Sequence, residues 1–502
     1  MGDKVRGIDV VPVRRIGIFS GAAMSISLMV GSGIFSTPST VVSYVGTPLM
    51  GILLYALGGV ISFGGAMAYI ELGIMYPQNG GTMRFLAHLY PKPRALLSFL
   101  FTWCMIVCIR AGAIAANGPV YGHYWIYGLF GGPDLQNLHP TLYAHRDWIY
   151  RGIGVVVTAL MTLVCMASVK WSVRAINVLT VLKMGVLLFF SVTGILILVG
   201  AIKTEKNDNW SRGFKGSSNQ ASAYARALNK VSFAYSGWSN VAYAIGEMKN
   251  PRRELPIAST LGLVTVTVLY ILSIVAFYSG VSYNEVVSSS ETLAATFSNK
   301  IFGKIFGQKV LPILIGFSVL GSSFAEIFTS GRIISAAGRV GYIPMMNYFG
   351  YYHPRLKTPM FALAFNFILV CIYLLAPPPG NIFNFLVDFI QYPGWLFYGF
   401  AVLGCIIFRF TRPNHPKRKF KAFLPLPALF VAVSIFLTVF PFIKFTEYVD
   451  GYKYYLSPTL GLCTVIIGFI PWYLRMYWWA DRTGQDYTAW IQVEEDEDIS
   501  DL

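Results

Sequence analysis

Apolar runs long enough to cross a bilayer recur along almost the whole chain, which makes a helical bundle in a membrane the fold to expect. A spanning helix needs about 20 mostly apolar residues. In hydrocarbon, only helices and closed barrels satisfy their own backbone groups. Twelve such runs are read at about 16–45, 51–76, 95–128, 149–169, 175–202, 222–248, 256–280, 309–338, 358–376, 381–409, 424–445 and 456–479. Only 12% of the residues are charged, about half the share in a soluble domain, so the runs are membrane spans rather than core helices. The first run is too long for a signal peptide and lacks its small-residue cleavage site.

Short basic connections such as Lys249-Asn250-Pro251-Arg252-Arg253 and Arg412 to Lys421 alternate with less basic ones such as Thr204 to Ser222. The positive-inside rule then places the N-terminus, with Lys4, Arg6, Arg14 and Arg15, in the cytoplasm. An even number of spans brings the C-terminus to the same side. The formal charge of +16 is spread over these connections, and no nucleic-acid partner is expected. The sequon Asn209-Trp210-Ser211 falls in an outer loop, where a glycan could be attached. All six cysteines lie in apolar segments and the histidines are scattered. Neither an extracellular disulfide nor a metal site is expected, and no cofactor is implied.

Residues 16–202 and 222–409 hold five runs each and are nearly equal in length. An odd number of spans inverts the second block relative to the first. The expected fold is therefore an all-α membrane protein of twelve transmembrane helices, with an inverted five-helix repeat and broken helices 1 and 6. Two further spans occupy 424–479, between a cytoplasmic N-terminus at 1–15 and an acidic tail at 480–502. The matched breaks are Val30-Gly31-Ser32-Gly33-Ile34-Phe35 and Phe233-Ala234-Tyr235-Ser236-Gly237-Trp238-Ser239-Asn240. A helix interrupted at mid-depth exposes N–H groups on one side and C=O groups on the other, which attract an anion and a cation respectively.

Two crossed breaks make a receptor for a zwitterion. Its carboxylate is expected at the amides of Ser32, Gly33 and Ile34, and its ammonium near the carbonyls of Leu28 and Phe233. Glycine at 33 would let a ligand approach the backbone. Phe233, Tyr235 and Trp238 would line or cap a side-chain pocket, with Ser236 and Gly237 between them. Close helix packing through small residues is the alternative for the glycines, and ordinary packing the alternative for the aromatics.

Ionisable groups at bilayer depth are functional candidates by default. Glu71, Arg84 and Glu247 lie near cytoplasmic helix ends and are expected in structural or gating ion pairs. Arg110 needs a partner or an aqueous lining. Lys183 has apolar neighbours, Val181-Leu182 and Met184-Gly185-Val186. It is placed to act as a fixed cation at the carbonyls of the first break, where a sodium ion would otherwise sit. Glu326 and Asp388 are the carboxylates best placed to carry a proton, a structural pair being the alternative for each. Asp388 has no obvious partner nearby in the chain.

These residues resemble those of the amino acid–polyamine–organocation transporters, in the L-type amino-acid transporter branch. The likeness is carried by Gly31-Ser32-Gly33-Ile34-Phe35-Ser36-Thr37-Pro38, Tyr69-Ile70-Glu71-Leu72-Gly73 with Gly80-Gly81, and Val169-Lys170 with Lys183. Phe233 to Trp238, Glu247 to Arg253, and Phe328-Thr329-Ser330 with Arg332 are also in register. The resemblance implies transport of amino acids by alternating access, backbone recognition at the two breaks, a lysine at 183 where sodium-coupled relatives hold sodium, and a gating role for Phe233. Animal light chains of the family carry a cysteine between spans three and four for a disulfide to a glycoprotein. Here Gly128 to Tyr150 contains none, so no disulfide-linked heavy chain is expected.

Family members tend to be neutral where Glu326 and Asp388 stand, which favours a proton-coupled permease over an exchanger. The overall pattern is similar to fungal methionine permeases, and methionine would suit an apolar, aromatic pocket without a fixed counter-charge. A transporter-like amino-acid sensor would need a longer cytoplasmic extension, and an enzyme would need a catalytic constellation that the sequence lacks. The expected location is the plasma membrane, with both termini in the cytoplasm.

Overall fold

The computed structural model describes residues 17–130, 139–205, 207–377, 381–413, 415–416, 418–444, 448–449 and 452–491. Lys4 to Arg15 and the acidic run from Glu494 lie outside the described residues. The chain is an all-α membrane protein. Among the described residues, nine helices are long and apolar enough to cross a bilayer. They are span 2 (Pro48–Met75), span 3 (Leu96–Phe130), span 4 (Arg146–Ala167), span 5 (Val169–Leu198), span 7 (Pro251–Gly280), span 8 (Ile305–Val340), span 10 (Ile382–Thr411), span 11 (Pro425–Phe442) and span 12 (Leu456–Thr483). A tenth, span 1, is the pair Ile18–Met29 and Gly33–Val45, bent by 48°. The other two expected runs are a shorter helix, span 9 (Met360–Leu375), and an interrupted span 6 made of Ala221–Ala234 and Asn240–Glu247.

Both expected breaks are present, and their causes are local. In span 1 the helix ends at Met29 and resumes at Gly33, after Val30, Gly31 and Ser32. In span 6 the helix ends at Ala234, and Gly237 turns the chain at φ +114°, a conformation that favours glycine. The second half of span 6 is a short 3-10 helix rather than an α-helix. It wobbles at Ala244, where φ is −119°.

The breaks are seated on one another through their glycines. A Cβ on Gly33 would lie 2.4 Å from the Cα of Ala234, and one on Gly237 would lie 2.8 Å from the Cβ of Leu28. In this conformation the space beside Gly33 is filled by span 6 rather than by a ligand, which is the packing alternative for this glycine. Tyr270 of span 7 fastens the crossing, its hydroxyl 2.6 Å from the carbonyl oxygen of Met29 and 3.0 Å from that of Ala234.

Two of the connections pack closely on the spans. The stretch between spans 7 and 8 is helical at Tyr283–Ser288 and Leu293–Phe302. It closes over span 1, because the Tyr124 hydroxyl lies 3.0 Å from Phe35 O and 2.9 Å from Glu291 O. Asn209 is fully buried, and its Nδ2 donates to Tyr278 O and Val281 O at 2.7 Å each. The nitrogen a glycan would need is thus committed to holding the loop, so the expected glycan site is corrected to a structural one.

Glu71 is also wholly buried. It receives Arg409, lies 3.1 Å from Arg418 Nε, and accepts the Ala422 amide at 2.9 Å. This cluster ties span 2 to the far end of span 10, as expected of a structural ion pair. Arg84 donates to Gln78 and faces the Trp490 ring, whereas Glu247 is exposed and has no ion pair among the described residues.

Candidate functional site

A cavity lies beside the crossing of the two breaks. Its wall includes Phe233, Ser236, Gly237 and Trp238 of span 6, Arg110 of span 3, Glu326 of span 8 and Gln391 of span 10. Six of the expected residues therefore meet in one place. Trp238 is held edge-on by Tyr69, Tyr398 and Phe430, and Phe233 by Phe383.

The other expected contacts fall outside the cavity. Ser32, Gly33 and Ile34 are buried and do not line it, and span 1 reaches the wall through Leu28. Tyr235 turns away, because the chain has already left the helix at that point. Its hydroxyl donates to Tyr55 O at 3.0 Å and its ring packs on Tyr270. The wall is also more polar than the apolar pocket expected. Ser62, Ser239 and Asn240 join Arg110 and Glu326 in it, so ionisable side chains are present after all.

Lys183 is fully buried and its Nζ donates to Ser27 O at 2.6 Å. A carbonyl in the last turn of a helix has no partner within that helix, so the ammonium occupies the place where a cation is best received. Span 8 makes room for it, since a Cβ on Gly321 would sit 3.3 Å from Lys183 Cε. Ser27 is further tied to span 5 through Thr180 at 2.9 Å.

A second link runs from the break to the cavity. Ser32 Oγ donates to Asn117 Oδ1 at 2.5 Å, and Asn117 Nδ2 donates to Glu326 Oε2 at 3.4 Å. Glu326 thus faces the cavity on one side and reaches the span 1 break on the other through one amide side chain. Arg110 and Lys183 are the cations whose fields act on its carboxylate. The Nε of Arg110 has no hydrogen-bond partner among the described residues.

Asp388 has its partner outside its own segment, as the structural-pair alternative requires. Lys230 Nζ of span 6 lies 3.0 Å from Asp388 Oδ1 and donates to Asn384 O at 2.7 Å. The sequence carried a signal for Lys230 as visible as that for Lys183: a lysine inside an apolar run. Asn117 was visible in the same way, as an amide at mid-depth in the third run. Tyr270 gave no signal, because a tyrosine in a span is unremarkable until its partners are known.

The profile of the amino acid permease family matches residues 16–469. The high-affinity methionine permease of Saccharomyces cerevisiae is 30% identical over 489 residues, covering 96% of this chain and 79% of that protein. The b(0,+)-type amino acid transporter 1 of Mus musculus is 28% identical over 487 residues, covering 96% and 92%. The human cystine/glutamate transporter is 27% identical over 486 residues, covering 96% and 90%.

Proposed function

This chain belongs to the amino acid permease family, and on that premise we propose that it takes up neutral amino acids such as methionine by alternating access, driven by an inward proton gradient. The observation that carries proton coupling is the setting of Glu326. A carboxylate in the cavity wall can exchange a proton with whichever side the cavity opens to, and Asn117 connects it to Ser32 at the break. A neutral carboxyl no longer draws the Asn117 amide as a charged one does, so protonation is felt at span 1.

Within this reading the backbone end of the substrate meets the crossing of the breaks, which the cavity touches at Leu28 and Gly237. The amides of Ser32, Gly33 and Ile34 come within reach of its carboxylate once Ala234 lifts from Gly33. Lys183, fixed at Ser27 O, serves in place of a bound cation. Arg110 and Glu326 balance one another in the wall, which leaves Met105, Ile109, Ile390 and Trp238 for an uncharged side chain. Methionine is put forward because the yeast relative is a methionine permease. We place the protein in the plasma membrane with both termini cytoplasmic, and without a disulfide-linked heavy chain.

The test is uptake of a panel of labelled amino acids into proteoliposomes, with and without an inward proton gradient. Methionine accumulation that follows the gradient is expected. Gradient-independent uptake that requires amino acid inside would replace symport with exchange.

A further inference from the structure

We infer that Lys230 and Asp388 form a latch that fastens the first half of span 6 to span 10 beside the cavity, and that the pair parts when the cavity opens on that side. The inference deepens the transport reading and rests on it. Lys230 precedes Phe233 by one helical turn, so the two share a face. Phe233 lines the cavity, and its ring meets Phe383 of span 10 with centroids 5.7 Å apart.

Across from them, Asn384, Asp388 and Gln391 recur at helical spacing and lay a polar stripe along span 10. Lys230 Nζ engages Asn384 O and Asp388, and Gln391 Nε2 reaches Asn229 O at 3.4 Å while lining the cavity itself. The stripe therefore runs from the cavity along the seam between the two helices. The seam is shut, with the Lys230 side chain 0% and that of Asp388 9% exposed.

Stability alone gives no reason for such a pair, since well-packed apolar residues of the same volume commonly hold as well or better. A gate has a different requirement. An apolar seam favours the shut state, because opening it wets apolar surface. A charged pair is dehydrated when shut and regains water when parted, so its shut and open states lie closer in free energy. Lys230 and Asp388 thus suit a seam that must alternate.

The test uses full-length protein in oriented membranes, with Ser236→Cys as a reporter in the cavity wall. A membrane-impermeant thiol reagent is applied to one side and then to the other, and labelling of the native cysteines is subtracted. Lys230→Met and Asp388→Asn each leave one charge in the seam without the opposite charge it now faces. Each is expected to raise reporter labelling from one side at least about threefold. The double variant restores an uncharged seam, which favours the shut state, and is expected to fall to about a third of the parent level or less.

Unchanged labelling in folded single variants, or the same rise in the double as in the singles, overturns the latch. If neither single variant folds, the double decides: labelling at about a third of the parent or less supports the latch, and any higher level overturns it. Labelling requires no substrate. A failed latch therefore leaves the transport reading untouched, and absent uptake leaves the latch standing.

Discussion

Glu71 and Glu326 are both carboxylates at or near bilayer depth, the first buried and the second half-buried, and their surroundings could hardly differ more. Glu71 has two arginines and a backbone amide around it, and none of its surface is exposed. Among the described residues the Glu326 carboxylate receives one long hydrogen bond, from Asn117, and it lines the cavity. Two arginines and a backbone amide fix Glu71 in place, and the cluster joins span 2 to span 10. A carboxylate with a spare face toward a cavity has room for a proton and a change of partner. Depth in the membrane alone therefore does not distinguish the two carboxylates; their partners do.

The comparison can be broken at either end. The largest effect is expected for Glu71→Gln, which leaves Arg409 and Arg418 without their counter-ion. Losing one member of a buried ionic cluster costs about 3–5 kcal/mol. The variant should show a sharply lowered thermal midpoint, or no monodisperse protein at all, in detergent. Wild-type stability would show that the Glu71 cluster does not hold the fold together.

Glu326→Gln should do the opposite. It keeps shape and fold but reduces proton-driven accumulation to the level seen without a gradient, while exchange of internal for external substrate continues. Full gradient-driven uptake in this variant would remove Glu326 as the proton carrier.

A smaller effect is expected for Asn117→Ala, which cuts the link between Ser32 and Glu326. The loss is about 1 kcal/mol, read as a several-fold rise in KM for uptake with little change in thermal midpoint. Smallest of all is the expected effect of Asp388→Asn on coupling. The ratio of uptake with a gradient to uptake without one should stay as in the parent, even where the rate changes, because Asp388 is already neutralised by Lys230. A collapsed ratio would move the proton from Glu326 to Asp388.

Much of the fold was legible from hydropathy alone, because a bilayer imposes a length and a composition on every helix that crosses it. Both breaks were legible too, since glycine and serine clusters at matched depth are rare in regular spans. Less could be read about what the breaks face. Gly33 was assigned to a ligand, yet its neighbour is Ala234. A missing Cβ tells of close approach and leaves open what approaches. Tyr235 sits between two cavity residues in sequence and still points to Tyr55, because side-chain direction in a turn has no fixed period. The pocket was expected to be free of charge. Arg110 and Glu326 share its wall only because spans 3 and 8 pack together.

The sequence by itself determined where the chain crosses the membrane, where two of its helices fail, and which charged groups are held at depth. Those properties depend on residues near one another in the chain. Only the tertiary structure decided which of these groups are partners. Ser32 and Asn117 are 85 residues apart, Asn117 and Glu326 are 209 apart, and Lys230 meets the carbonyl of Asn384 from 154 residues away. A buried charge is defined by what neutralises it, and in a bundle that partner comes from a helix that local sequence does not indicate.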